Sequence, residues 1–501
     1  MQEALFRRLA LLTLASVAVR IASAVVVAQP GYTDAYYYVN VASRFARGLG
    51  LTADFIWNPI ELGPLPVVSH RFWMPLATVF QGAGIALFGP LLGDFRAAQL
   101  AIVVTAACLP TATYAAARAL GASVNGSLIA GAVVGLGGVF APAWVSVDGF
   151  APAALLGTLF FIVFARAAQG GVIAGALAGL AVGLLYLVRA EGAMFGLTLV
   201  ALALRQRSRG AGVAGALVAL AIGGAWLARD LSIGPAAGLV SRTALLVRYE
   251  DFFAVRGVSD TIFTAPLQDV VGARVAALGA NAATFLFSYG LVLAVPLAIG
   301  VRVLWAHAHV RAWTSLALLI FAAESLVWTL HSTRGSYFHS LAAFFPFGVA
   351  IAISGAQRLL AAREPMAVRG WTIGVVGLVA VISLFAVMQW DAVFNVGART
   401  RSAALDAIPP GTFLAIDGAA WRWLSGRSAV VTPSDGPSLA ACVASTVNAR
   451  SLVLEEAHFS AYDELYRGGP RPAWLGAPIE RGTVKIFPIV GELDLRCGGA
   501  S

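Results

Sequence analysis

Apolar runs of about twenty residues recur along the chain as far as about residue 390, and that repetition limits its possible folds more than any other feature. Inside hydrocarbon every backbone N–H and C=O must be paired within its own segment, so such runs read as spanning helices. Composition agrees: 59% of residues are apolar and 12% charged, against roughly 45–50% and 25% in soluble domains. The first run, Leu9 to Ala28, follows Arg7 and Arg8 as a secretory signal would. It is long for a signal core and no small-x-small cleavage site follows it, so it reads as an uncleaved first helix.

The expected spans are 9–28, 96–117, 127–147, 150–168, 172–188, 192–204, 211–228, 281–301, 312–330, 340–357 and 370–390, about eleven in all. Phe72 to Gly89 is apolar enough to cross but is interrupted by Met74-Pro75 and several glycines. Arginine placement decides its role. With 72–89 lying along the interface, one set of short loops contains Arg7, Arg8, Arg118, Arg166, Arg205, Arg207, Arg209, Arg302, Arg311, Arg358, Arg363 and Arg369 against only Glu3 and Glu364. Cytoplasmic loops are the arginine-rich ones. The N-terminus is therefore expected inside an inner or plasma membrane, with the polar tail outside.

The net charge of +9 does not point to nucleic acid, because the arginines orient helices and form no basic stripe. Cys108, Cys442 and Cys497 lack metal-ligand spacing. Cys442 and Cys497 both lie in the tail, where an oxidising compartment would let them pair.

That sidedness collects Asp34, Asp54, Glu61, Asp148, Glu191, Asp230, Glu250 and Asp251 on the outer face, together with His70, His331, Arg334 and His339. Three outer segments are large: 29–95 with its interfacial helix, 229–280 with short amphipathic pieces around Arg248 to Phe253, and 391–501. The tail reads as a small α/β domain, with strands at Thr412–Ile416, Ser428–Thr432, Ser451–Leu454 and Val484–Ile489. Helical segments are expected near Asp435–Asn448 and Phe459–Tyr466. No internal repeat, which would favour a secondary transporter, is visible.

Four clusters carry residue types suited to chemistry. Gly31-Tyr32-Thr33-Asp34-Ala35-Tyr36-Tyr37-Tyr38 sets a carboxylate among aromatics, fit to accept a proton from a hydroxyl; an interfacial aromatic belt would look the same. Ser146-Val147-Asp148-Gly149-Phe150 places an acid on a tight turn, where a helix N-terminal acid is the competing reading. Arg189-Ala190-Glu191-Gly192 is either an ion pair fixing a turn or part of an anion site. His331 to His339 contains two histidines, Arg334 and three hydroxyls, and an arginine fork can bind two phosphate oxygens. Arg229-Asp230 repeats the basic–acidic pairing. Arg20 and Glu324 lie within spans; snorkelling accounts for Arg20, while Glu324 has no such exit.

Together these features resemble the GT-C superfamily of membrane glycosyltransferases, which includes protein O-mannosyltransferases, aminoarabinose transferases and the catalytic subunit of oligosaccharyltransferase. The resemblance rests on the acid soon after helix one in YTDAYYYVNVASRFARGLGLT, on His70-Arg71-Phe72-Trp73-Met74-Pro75 where many members read His-Pro-Pro, on VDGFAPAALLG, and on LVRAEG. It covers most of the chain in layout. It implies a GT-C-like bundle with an extracytoplasmic C-terminal α/β domain, and transfer of a sugar from a polyprenyl-phosphate carrier to a glycan, lipid or protein acceptor, usually with inversion. By the same resemblance Asp34 is the base or acceptor-orienting acid and Asp148 the second acid, and some relatives hold a divalent metal between such acids. Arg334, His331, His339 and Arg229 are then expected at the carrier phosphate, with Tyr36, Tyr37, Arg189, Glu191 and His70 in support. Against the family pattern, Asp34 stands where several relatives have an Asp-Glu pair.

Two other functions fit the same composition. A flippase of lipid-linked intermediates would need ionisable residues near the midplane, and Glu324 is nearly alone there. A non-catalytic assembly protein would act through its tail.

Overall fold

The structure is a computed structural model describing residues 2–234, 243–255, 261–361, 363–491 and 493; Cys497 lies outside the described residues. The chain forms two compact units, each built from separate stretches of sequence. Residues 1–28, 73–232 and 274–390 make a helical unit; residues 29–72, 233–273 and 391–501 make a mixed α/β unit.

Among the described residues, six helices are long and apolar enough to cross a membrane, or up to eight if each of two bent pairs is one span. The bent pairs are Val124–Leu136 with Gly138–Val145, and Ser336–Ala342 with Phe345–Leu360. Every apolar segment expected from the sequence falls on helical structure, although Val172–Val188 and Ala190–Ala203 are shorter than a full crossing. The helix Leu76–Ala107, which includes the stretch expected at the interface, breaks at Gly93, whose φ of 74° and ψ of 161° reverse the chain. A Cβ on Gly84 would come 2.5 Å from the Ala97 carbonyl oxygen. Those residues would be about 20 Å apart in a straight helix, so the two arms pack side by side.

Small residues set the closest helix contacts. Gly175 and Gly179, four apart on Val172–Val188, face Ala211 and Gly215 on Arg209–Ile233 so closely that a Cβ would meet carbonyl oxygens at 2.1 and 2.0 Å. This is the small-xxx-small spacing of membrane helix pairs. Leu11, Leu14 and Ile21 on Gln2–Val26 point outward, as lipid-facing residues do, but Arg20 on the same helix is fully buried. It does not snorkel. Its Nη2 donates to the Val134 carbonyl at 2.8 Å, one of the last carbonyls of Val124–Leu136, which have no partner within their own helix and attract a cation.

The α/β unit is centred on a five-stranded sheet in the order β4-β3-β5-β7-β6. Numbered along the chain, a short hairpin of β1 (Thr52–Ala53) and β2 (Val67–Val68) precedes β3 (Phe413–Ala415), β4 (Ala429–Val431), β5 (Ser451–Leu454), β6 (Ile479–Arg481) and β7 (Val484–Pro488). β4, β3 and β5 run parallel; β7 is antiparallel to β5 and β6 to β7. The four strands read from the sequence are present. β6 and the helix Gly418–Ser425 were not anticipated, and the second expected helix is a short turn around Asp463–Tyr466. The sheet core is Phe413, Ala415, Trp421, Val453 and Ile486.

The tail shares its unit with parts of both large loops. Ile56 of the first loop lies beside β4, its N–H donating to Ala429 O at 3.0 Å and its carbonyl accepting from Val431 N at 2.8 Å. The second loop joins the same unit: Phe252 is buried against Trp57 and Phe72, and Asn58 donates to the Phe252 carbonyl at 2.9 Å.

Candidate active site

The residues singled out from the sequence divide between the two units, and each unit is taken by itself.

In the helical unit, Asp148 sits in the turn before the helix Phe150–Ala167 and is 1% exposed. Its carboxylate accepts from the Gly149 N–H, but Gly149 is the N-cap and the helix has no side-chain cap, so Asp148 does not play the N-cap role that the sequence also allowed. The turn is held from behind by Gln99, which donates to the Val27 and Val145 carbonyls at 3.0 and 3.1 Å. His339, on the helix Ser336–Ala342, brings Nδ1 to 3.6 Å from Asp148 Oδ2, and its ring stacks on Phe150 with centroids 4.1 Å apart. That separation is too long for a hydrogen bond. It is close to the roughly 3.4 Å that separates two ligands, each about 2.1 Å from a tetrahedral ion. Residue types able to ligate a divalent cation are thus present: Asp148 with His339 here, and Asp34 in the other unit.

Arg189 and Glu191 form an ion pair across the turn before Gly196–Ala203. Glu191 also accepts from Ser340 Oγ at 2.6 Å, which ties that turn to the residue after His339. A small cavity is lined by Arg189, Glu191, Phe195, Ile320, His339 and Ser340. His331 lies in the Thr329–Arg334 turn; burial, reinforced by the charges of Arg189 and Arg334, lowers its imidazole to about 4. His331 is therefore a neutral donor or acceptor at pH 7, while exposed Arg334 supplies the cation. Arg229 is differently engaged. It lies just before the last turn of Arg209–Ile233, where its guanidinium stacks on Trp226 at 4.4 Å and reaches Asp230 at 3.7 Å. Glu324 is buried on Ala308–Leu326, where its backbone carbonyl accepts from Ser332 Oγ.

In the α/β unit, Asp34 is half-buried in the first turn of the helix Thr33–Ala46, whose Tyr32 cap supplies no side-chain hydrogen bond. Tyr36, Tyr37 and Tyr38 are core residues and not an interfacial belt. Tyr37 Oη accepts the His70 N–H at 2.6 Å, and its ring packs against Phe55, Trp57 and His70. His70 is fully buried, with φ of 61°. Nearby Glu61 is buried, and desolvation raises its carboxyl to about 8 although Arg71 and Trp57 pull the other way.

Sequence reading missed a polar network at the end of the sheet. Asp417 follows β3 and Glu455 follows β5. Asp417 accepts from Thr33 Oγ1 at 2.9 Å and Ala420 N at 3.0 Å. Glu455 accepts from Arg401 Nε at 2.8 Å and Trp421 Nε1 at 2.7 Å. The available signal was an acid directly after each of two parallel strands, where α/β sheets place polar sites.

No family model and no curated protein sequence matches the chain. Solved structures share its fold. ArnT from Cupriavidus metallidurans in the apo state gives a TM-score of 0.59 at 12% identity, over 96% of this chain and 97% of that one. The same protein bound to undecaprenyl phosphate gives 0.58 at 13%, over 97% and 98%. The Archaeoglobus fulgidus oligosaccharyltransferase in complex with Zn and sulfate gives 0.55 at 13%, over 89% and 68%. The chain therefore shares its fold with these proteins.

Proposed function

We propose that the protein is a membrane glycosyltransferase that moves a sugar from a polyprenyl-phosphate carrier to an acceptor hydroxyl or amide on the outer face, with inversion. The observation that carries this reading is the buried Asp148–His339 pair in the same helical unit as Arg189, His331 and Arg334. An acid and an imidazole of metal-ligating type near cations suited to phosphate are what such a transfer requires. The shared fold with ArnT, one of whose structures holds undecaprenyl phosphate, supports the carrier class.

In this reading Asp34 takes the proton from the acceptor as its oxygen or nitrogen attacks the anomeric carbon, and the bond from that carbon to the carrier phosphate oxygen breaks. The leaving phosphate gains negative charge, which Arg334 and Arg189 stabilise while neutral His331 donates a hydrogen bond. A divalent ion held by Asp148 and His339 would supply further charge at the phosphate. Tyr36, Tyr37 and His70 hold the Asp34 helix from behind. Arg229, stacked on Trp226, serves the rim of the donor path.

The same reading takes about eleven crossings, the N-terminus inside and residues 391–501 outside, on the strength of the arginine-rich short loops. The decisive experiment is transfer by the purified protein in nanodiscs supplied with polyprenyl-phosphate sugars. Transfer that Asp34→Asn lowers by about a hundredfold or more supports the assignment. No transfer from any carrier-linked sugar refutes the function.

A further inference from the structure

In an open α/β sheet, ligands bind beyond the carboxyl ends of the strands where the strand order reverses. Here β3 connects to β4 on one side, and β4 connects back past it to β5 on the other. The reversal therefore falls between β3 and β5. Asp417 and Glu455 stand at that point, where a ligand-binding domain would hold its substrate. Both are occupied by the chain itself. Thr33 and Ala420 take the two Asp417 oxygens, and Arg401 and Trp421 take those of Glu455.

The occupant matters because Thr33 immediately precedes Asp34. The helix Thr33–Ala46 begins without a side-chain cap of its own, which normally leaves its first turn weakly held. Three further contacts run from the same stretch to the tail. Asn40 donates to the Ala419 carbonyl at 2.9 Å, Arg422 reaches Asp54 at 2.7 Å, and Ile56 lies along β4. The last two secure the loop, and Asn40 holds the middle of the helix. In the first turn Tyr32 packs its ring on Phe394 with centroids 5.7 Å apart, and the Thr33 hydroxyl ties the residue before Asp34 to Asp417.

We infer that the C-terminal domain is a scaffold for the Asp34 helix and not a ligand-binding module, and that Asp417 is a positioning residue that sets Asp34 through the Thr33 hydroxyl. This rests on the proposed role of Asp34. Thr33→Val keeps the shape of the side chain and removes only the donor; Thr33→Ser keeps the donor.

The test compares both variants and Asp34→Asn with the parent, full-length in nanodiscs, using undecaprenyl-phosphate-linked sugar as donor. Thr33→Val should lower kcat about tenfold, since small displacements of a reacting group are costly. KM for the donor should stay within about twofold and the melting temperature within about 2 °C, and Thr33→Ser should restore the rate. Amides of Tyr37 and Tyr38, which bond back to the first turn, should exchange faster in Thr33→Val while those of β3 and β5 do not change. Full kcat in Thr33→Val beside a loss in Asp34→Asn overturns the inference and leaves the function standing. Parental transfer by Asp34→Asn removes the role of Asp34 and the inference with it. If the parent transfers nothing, exchange decides: unchanged protection at Tyr37 and Tyr38 overturns the inference, and a selective loss upholds the positioning contact.

Discussion

His339 Nδ1 stands 3.6 Å from Asp148 Oδ2, and Phe150 fixes the imidazole plane by stacking on it. Both side chains are held by elements of one unit, so the pair exists before any substrate arrives. If it ligates a cation, His339→Ala and Asp148→Asn each weaken Mn²⁺ binding by at least about tenfold, measured by calorimetry on the purified protein. Phe150→Ala should weaken it less, by loosening the ring. Equal affinity in all four proteins would remove the metal from the mechanism.

Arg334 is exposed and adjacent in effect to His331, whose imidazole it helps to lower. Arg334→Ala is expected to reduce kcat/KM for the carrier-linked sugar by about ten- to a hundredfold, and Arg334→Lys should recover little. An ammonium cannot reproduce the two-point fork. Full recovery by lysine would mean that only its charge is used.

Gly179 meets the Gly215 carbonyl where a Cβ would lie 2.0 Å away. Gly179→Ala therefore costs about 1–3 kcal/mol, and Gly179→Leu prevents the two helices from packing. Gly224, on the same partner helix, has open space around it. Gly224→Ala should leave the melting temperature unchanged or raise it. Detergent-resistant thermal unfolding compares the two.

Glu61 holds a proton in the folded protein up to about pH 8, against an ordinary value of 4.5. Between those limits the unfolded chain has released that proton and the folded one has not. Stability from this group is complete below the lower value and declines as pH rises through the upper one. Glu61→Gln removes the decline, so its melting temperature should gain on the parent steadily from about pH 5 to pH 8. A constant difference across that range would show that Glu61 is ionised when folded.

Much of the helical unit was legible because the length of an apolar run is a local property. The segments 150–168 and 172–188 lie within a residue of the helices Phe150–Ala167 and Val172–Val188. The strand runs in the tail were legible for the same reason, since β-branched clusters such as Ser451–Leu454 announce themselves. What failed depended on distant partners. Arg20 was read as snorkelling because its acceptor, the Val134 carbonyl, lies 114 residues away. The break at Gly93 falls between the expected segments 72–89 and 96–117, but the close packing of Gly84 on Ala97 was not read. At the site, Asp148 and His339 were each selected but their approach to one another was not, and Asp417 was overlooked because nothing near it in sequence hints at Thr33.

That last contact spans 384 residues. At about 5–20 residues per second, a ribosome needs roughly 20 to 75 seconds to go from Thr33 to Asp417. Throughout that interval the helix bearing Asp34 has been made but has no sheet to settle on. A chain that stalls or is cut before β5 retains its spans and still lacks the support for its first turn. The proposed base is thus set last, although it is encoded almost first, and a truncated molecule lodged in the membrane would be silent and not erratically active.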